Sequence, residues 1–310
     1  MKYVLTGATG GLGSRVFDHL LNIVPASDVI VSLYNPSGAT PTILQSGVEI
    51  RKGNFSDPQT LDTAFSGADK LLIVSYPSMA HQLRVKNHVA AIDAAKRVGV
   101  KHVYYTSLAF AGDSKAAVMQ AHIDTEKYLK ESGLKYTIIK EGIYNESYPL
   151  YFGYFDPAEG KDEVLVPYSD GAIAWACRDD LGEGTAKIMA AESGYDNTTV
   201  LLSGSEAVTL TALASKISSI LPGNRNITLK VVSLDEFIEH NKGKQPEDLL
   251  RAWSTTWTAL GRGELAVVDP LLETLLGRKT KSIDETLKEV LGADGSGSAH
   301  ETSKYSRTTA

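Results

Sequence analysis

The 310-residue sequence predicts an α/β fold, with a doubly wound parallel sheet followed by a smaller mixed α/β C-terminal lobe. Three observations carry that expectation. Short apolar or β-branched runs at residues 3–5, 28–33, 48–52, 70–74, 101–107 and 136–139 alternate with stretches of helical apolar spacing. Strands separated by helices pair in parallel, because each crossover brings the chain back to the same end of the sheet. The first run enters a glycine-rich turn, TGATGGLG at residues 6–13, which opens directly into a helix carrying Val16, Leu20 and Leu21. Beyond about residue 150 the alternation loosens into short strands at 163–166 and 199–202 among helices at 178–191, 211–220 and 233–239.

The glycine turn makes the sheet Rossmann-like. One glycine turns the chain sharply, a second lets the backbone approach a pyrophosphate, and a third lets helix and strand pack closely. The helix then presents free N–H groups and a positive dipole end to phosphates. Gly7, Thr9, Gly10, Gly11, Leu12 and Gly13 are therefore the expected pyrophosphate cradle. The domain expectation is a dinucleotide-binding domain at 1–150 and a substrate-covering lobe at 151–291, with some segments of the lobe returning to the first domain. A disordered polar tail is expected at 292–310, where almost no large apolar residue occurs.

Composition narrows the function classes. A hydrophobic content of 43% is ample for a buried core. A net charge of -6 without a Lys/Arg-rich run argues against nucleic acid as a partner. The single cysteine, Cys177, excludes an intrachain disulfide and a cysteine-based zinc cluster and fits a reducing compartment. The histidines form no HExxH, so no metal site is expected. No apolar stretch reaches the ~20 residues of a membrane helix, which makes a cytoplasmic location the expectation.

In chain order, the second strand ends at Tyr34-Asn35-Pro36, where an acidic residue would select a free ribose 2′-hydroxyl and a basic one a 2′-phosphate. Neither stands there, so Tyr34 and Asn35 can contact the adenosine only through hydrogen bonds and ring stacking. Asn54 and Phe55 follow the third strand and border the expected adenine site, while Ser56 or Asp57 is placed to cap the next helix ahead of Pro58. Ser75 and Tyr76 close the fourth, central strand and neighbour the middle of the cofactor. His81, Arg84 and His88, on the helix after it, read as a solvated or half-buried face. Alternation along the fifth strand sends Tyr104 and Thr106 to one face and Tyr105 and Ser107 to the other, with Thr106 on the cofactor side. On the next helix His122 and Glu126 lie one turn apart, and Tyr144 lies in a polar segment after the sixth strand.

Short-chain dehydrogenases exchange a proton through a Tyr-x-x-x-Lys pair beside a serine. The expected helix has none, because Ser132 stands four residues after Tyr128. His122 is the group best suited to move a proton near neutral pH, with Ser107 and Tyr144 orienting a carbonyl. A helix-surface His122 paired with Glu126 is the plain alternative.

With these residues in view, the chain resembles the NmrA-like family of atypical short-chain dehydrogenases, especially its NADPH-dependent quinone-reducing members. The matching stretches include TGATGGLGS at 6–14, VPASDVI at 24–30, AAKRVGVKHVYYTSL at 94–108, HIDTEKYLKESGLKYT at 122–137, ACRDDLGEGTAKI at 176–188 and LGRKTKSIDETL at 276–287. The resemblance implies NADP as cofactor, with NAD allowed, and a small-molecule carbonyl or quinone substrate; a homodimer is one allowed assembly. His122 falls where isoflavone-reductase-type relatives carry their catalytic lysine. Two departures stand out. Tyr34 replaces the arginine that usually precedes Asn-Pro, and Gly142-Ile143-Tyr144-Asn145-Glu146-Ser147 replaces Gly-Trp-Tyr-x-Glu-Asn. A dinucleotide sensor without turnover, or an isomerase or lyase on the same fold, are the rival expectations.

Overall fold

A computed structural model describes residues 1–292. The tail expected at 292–310 lies, from 293 onward, outside the described residues. In order, the chain forms β1 Tyr3–Thr6, α1 Gly11–Leu21, β2 Val29–Leu33, α2 Pro41–Gln45, β3 Glu49–Lys52, α3 Pro58–Phe65, β4 Lys70–Ile73, α4 His81–Arg97, β5 His102–Leu108, α5 Ala117–Glu131 and β6 Tyr136–Glu141. There follow α6 Tyr148–Tyr151, β7 Glu163–Pro167, β8 Ala172–Ala174, α7 Arg178–Ala190, β9 Thr198–Leu202, β10 Ala207–Thr209, α8 Leu210–Ile220 and β11 Thr228–Val232. The last helices are α9 Leu234–His240, α10 Glu247–Gly261, α11 Leu271–Leu276 and α12 Ile283–Leu291. Among the described residues no helix is long and apolar enough to cross a membrane.

Two compact units result. The first comprises Met1–Leu108, Ala121–Glu141 and Arg178–Leu202; the second comprises Ala109–Gln120, Gly142–Cys177 and the chain from Ser203. The sequence reading draws its main boundary near 150, whereas the chain leaves the first unit after Leu108, again after Glu141, and returns to it for α7 and β9. The physical reason lies in α7. A Cβ on its Gly182 would stand 2.4 Å from the Cβ of Arg15, so only glycine lets α7 lie against α1. Leu181, Thr185, Ala186, Ile188 and Met189 are buried along the same helix.

The first unit is built on a seven-stranded parallel sheet of order β3-β2-β1-β4-β5-β6-β9. Order reverses between β1 and β4, the switch point where a dinucleotide crosses such a sheet. On the side of α3, α4 and α5, Val4, Ile30, Leu71, Ile73, Val103, Tyr105 and Ile138 bury against Leu61, Phe65, Ala91, Ala95 and Leu129. Their odd–even spacing along each strand puts Tyr3, Leu5, Tyr104 and Thr106 on the other side. The second unit carries the antiparallel pair β8–β10 and the parallel pair β7–β11. Within it Asn145 donates from Nδ2 to Thr286 Oγ1 (2.9 Å), tying the segment after β6 to the first turn of α12, which a Ser282–Glu285 capping box begins.

Candidate functional site

The carboxyl ends of β1, β4 and β5 are stitched together by two threonines. Thr6 Oγ1 donates to the Leu72 carbonyl (3.0 Å) and accepts from the Val74 N–H (3.0 Å). Thr106 Oγ1 accepts from the Ser75 N–H (3.0 Å). The glycine turn leaves this edge with Gly7 at φ +67°, and a Cβ on Gly13 would stand 2.2 Å from the Gly7 carbonyl oxygen. Glycine at 13 is what lets α1 begin directly over β1. No side chain caps α1 at Gly10 and no acidic residue lies in its first turn, while Thr9 and Gly10 are exposed. An uncapped, accessible helix start beside a glycine turn fits a pyrophosphate, through the backbone of Gly10, Gly11, Leu12 and Gly13. The Leu12 side chain itself is buried.

The residues expected at the adenosine stand at the ends of β2 and β3. Tyr34 is exposed, and the Asn35 side chain accepts from the Ser37 N–H (3.2 Å), starting a short 3-10 turn at Pro36–Gly38. Asn54 is held by its own N–H donating to Thr60 Oγ1 (2.9 Å), and its Oδ1 accepts from the Ser56 N–H (2.9 Å). Phe55 meets Tyr76 edge-on at 6.0 Å, joining the β3 and β4 loops in one aromatic wall. The expected cap takes a different form: Asp57 occupies the N-cap position of α3 without a side-chain bond, and Thr60 Oγ1 donates to the Asp57 carbonyl instead (2.7 Å).

The other end contains a polar cluster that the sequence did not announce. Arg84, in the first turn of α4, donates to Ser75 Oγ from Nε (3.1 Å) and Nη2 (2.7 Å), and from Nη2 to His122 Nε2 (2.9 Å). A guanidinium only donates, so His122 Nε2 must accept and its ring proton sits on Nδ1, 2.9 Å from the Tyr105 hydroxyl. His88 is locked the same way. Its Nε2 accepts from the Tyr76 N–H (2.8 Å), and Nδ1 donates to Thr125 Oγ1 (2.8 Å), whose own proton goes to the Ala121 carbonyl (2.7 Å). His88 is thus no solvated or half-buried face residue: it is fully buried, because the stripe through positions 88, 91, 92 and 95 faces the sheet. His122 is fully buried as well and does not pair with Glu126. Glu126 instead accepts the Ser107 hydroxyl at 2.6 Å.

Burial and then Arg84 set the protonation of both rings. Desolvation, with the guanidinium beside it, pushes His88 down to about 3 and holds His122 well below the ordinary imidazole range. Both are neutral at physiological pH. Lys140, the residue paired with Ser107 in the sheet, adds to the depression of His122. On the opposite face the carboxyl of Glu141, the last residue of β6, is fully buried. Its Oε1 accepts from Thr185 (2.8 Å), Oε2 has no hydrogen-bond partner among the described residues, and burial pushes its pKa up to about 8.

The structure therefore brings Ser75, Tyr76, Thr106, Ser107 and His122 together at one end of this unit, and places Tyr144 in the second unit, bridged to Ala176. Sequence reasoning read Arg84 as part of a solvated or half-buried face and Glu126 as a partner of His122, and gave Glu141 no role of its own. The signal for the first two was two facing helices, each carrying an i, i+4 polar pair on its apolar stripe: Arg84 with His88, and His122 with Glu126. A cavity of about 350 Å3 lies at the opposite, amino-terminal edge, lined by Lys70, Lys101, His102, Tyr104, Lys135 and Tyr195 among others.

In sequence and fold the chain is similar to several known proteins. Residues 2–238 match the NmrA-like family. The NmrA-like family domain-containing oxidoreductase flvB of Aspergillus flavus is 34% identical over 300 residues, covering 94% of this chain and 95% of that protein. Quinone oxidoreductase 2 of Escherichia coli is 31% identical over 94% of this chain and 99% of its own length. A solved structure of the Escherichia coli enzyme complexed with NADPH superposes with a TM-score of 0.84 at 30% identity, covering 93% of this chain and 99% of that one. Citrobacter sp. triphenylmethane reductase complexed with NADP(H) superposes with a TM-score of 0.82 at 28% identity, over 94% and 100% of the two chains.

Proposed function

The chain belongs to the NmrA-like family, and on that premise we propose that it is an NADP(H)-dependent oxidoreductase, able to use NAD(H), that reduces a quinone or related conjugated carbonyl compound. The observation that carries this reading is the pairing, in one unit, of a glycine cradle for a pyrophosphate with an arginine fixed by Ser75 and a neutral His122. When bound, the dinucleotide supplies the hydride. Gly7 and Gly10 to Gly13 hold its pyrophosphate, Tyr34 and Asn35 its adenosine ribose, Asn54 and Phe55 its adenine, and Ser75, Tyr76 and Thr106 its middle.

Reduction of a conjugated carbonyl places negative charge on its oxygen. Arg84 keeps its positive charge at every working pH and is pre-oriented by Ser75 and His122, so it stabilises that oxygen without reorganising. His122 serves as a positioning residue in this scheme: its Nε2 carries no proton to give, and its Nδ1 proton is directed to buried Tyr105. The proton that completes the reduction comes from water. Ser107, with its hydrogen committed to Glu126, can only accept.

The test is NADPH oxidation followed by absorbance, with benzoquinones, naphthoquinones, α,β-unsaturated ketones and saturated ketones as acceptors. Turnover with conjugated acceptors and none with saturated ones is expected. Dinucleotide binding with no consumption across the panel would establish the sensor reading instead.

A further inference from the structure

The end of β2 offers no cation to a ribose 2′-phosphate, since Tyr34 and Asn35 stand where one is usual. The neighbouring strand supplies one. Lys52 is the last residue of β3 and pairs in register with Leu33, the last residue of β2. Its Cα is therefore about 4.8 Å from that of Leu33 in the hydrogen-bonding direction, at the carboxyl edge and one residue short of Tyr34. In-register parallel neighbours point to the same face, so Lys52 lies on the Leu33 and Leu5 side of the sheet. That is the face of Tyr3, opposite the cluster with α3, α4 and α5.

Two other cations of β3 and α1 are turned to other partners, Arg51 from the opposite face of β3. Arg51 donates to Glu49 (2.7 Å) and to the carbonyls of Ala64 (3.3 Å) and Ser66 (2.7 Å) at the end of α3. Arg15 lies 4.0 Å from Asp179. Lys52 is exposed and has no hydrogen-bond or ion-pair partner among the described residues. A lysine is a strongly hydrated point charge on a flexible stem, which suits a phosphate that enters and leaves with each turnover.

The geometry points to Lys52 as the residue that recognises the 2′-phosphate and so sets the preference for NADPH over NADH. This rests on the oxidoreductase reading for the presence of a dinucleotide, and departs from the usual arrangement by taking the cation from β3. Asn35 and Ser37, already joined to each other, remain at the ribose as neutral hydrogen-bonding groups.

The test measures the dissociation constants of NADPH and NADH on the full-length protein at ~0.1 M salt, where exposed charges still act over about 10 Å. Lys52→Gln should weaken NADPH about tenfold, the worth of one solvent-exposed charge-assisted contact, and leave NADH within about twofold. Lys52→Glu should weaken NADPH further and leave NADH the preferred ligand, while Lys52→Arg should retain the NADPH preference. A wild-type protein that prefers NADPH, with a preference unmoved by Lys52→Gln and Lys52→Glu, overturns the assignment of Lys52 and leaves the oxidoreductase reading standing. A wild-type protein that binds the two equally also overturns it. Binding of neither dinucleotide overturns both.

Discussion

The two edges of the seven-stranded sheet are made of the same residue types and put them to opposite uses. At the amino-terminal edge the charged groups are bound to one another or to the backbone. Lys70 donates to the carbonyls of Met189 and Ala191 at the end of α7 (both 2.7 Å) and lies over the Tyr3 ring at 5.7 Å. Lys101 pairs with Asp69 and Lys135 with Asp196, each at 2.6 Å. His102 bonds Thr137 (2.8 Å) and stacks on Tyr104 at 4.2 Å. At the carboxyl edge a helix start stands uncapped, and among the described residues neither Glu141 Oε2 nor Lys52 has a hydrogen-bond or ion-pair partner. A cavity at the first edge is therefore a gap between satisfied groups, whereas the second edge holds interactions in reserve.

The sharpest way to break this contrast is Gly13→Val, which drives a branched side chain into the Gly7 carbonyl. Displacing α1 from β1 should weaken NADPH at least about 1,000-fold, roughly 4 kcal/mol. A dissociation constant within threefold of wild type, read by calorimetry on folded protein, would place the dinucleotide elsewhere.

Glu141 gives an effect of comparable size, through pH. Its folded pKa is raised to about 8 from a reference of 4.5, so the folded state holds a proton that the unfolded chain has already lost. The stabilising contribution of the protonated form is complete below about 4.5 and disappears as pH rises through about 8. Glu141→Gln should match wild type near pH 4.5 and exceed it by of order 5 kcal/mol at pH 9, from urea unfolding at both values. An advantage that does not grow with pH would show that the carboxyl is already ionised in the fold.

Arg84→Gln should lower kcat about 100-fold, ~2.7 kcal/mol, with the dissociation constant of NADPH unchanged, because the guanidinium acts on the substrate oxygen. His122→Gln keeps an acceptor for Arg84 and should cost about tenfold at most. Neither wild type nor this variant should show an ionisation near pH 6.5 in kcat, whereas a titrating His122 would produce one and lose it on substitution. At the other edge the effect falls on stability alone. Lys70→Met leaves two α7 carbonyls without their donor and should cost about 2 kcal/mol of stability with kinetic constants unchanged.

Much of the first unit was legible in the sequence because its signals are local. The glycine turn follows a strand directly, β-branched runs alternate with helical spacing, and Thr106 and Ser107 fall on opposite faces by simple alternation. The return of α7 and β9 to that unit depends on Gly182 meeting Arg15, a contact between residues far apart in sequence that no local pattern encodes. The same holds for the chemistry. His122 was visible as a residue, but its role changed once Arg84, from a different helix, took its Nε2. Lys52 carries no motif, and only the register of β3 against β2 reveals it.

The contrast between the edges is tested most directly by backbone hydrogen exchange with and without saturating NADPH. Slowed exchange is predicted at residues 9–14, 34–35, 53–55 and 75–76, with no change at 69–70, 101–104 and 191–196. Protection at the amino-terminal segments, with the glycine turn unchanged, would contradict the account.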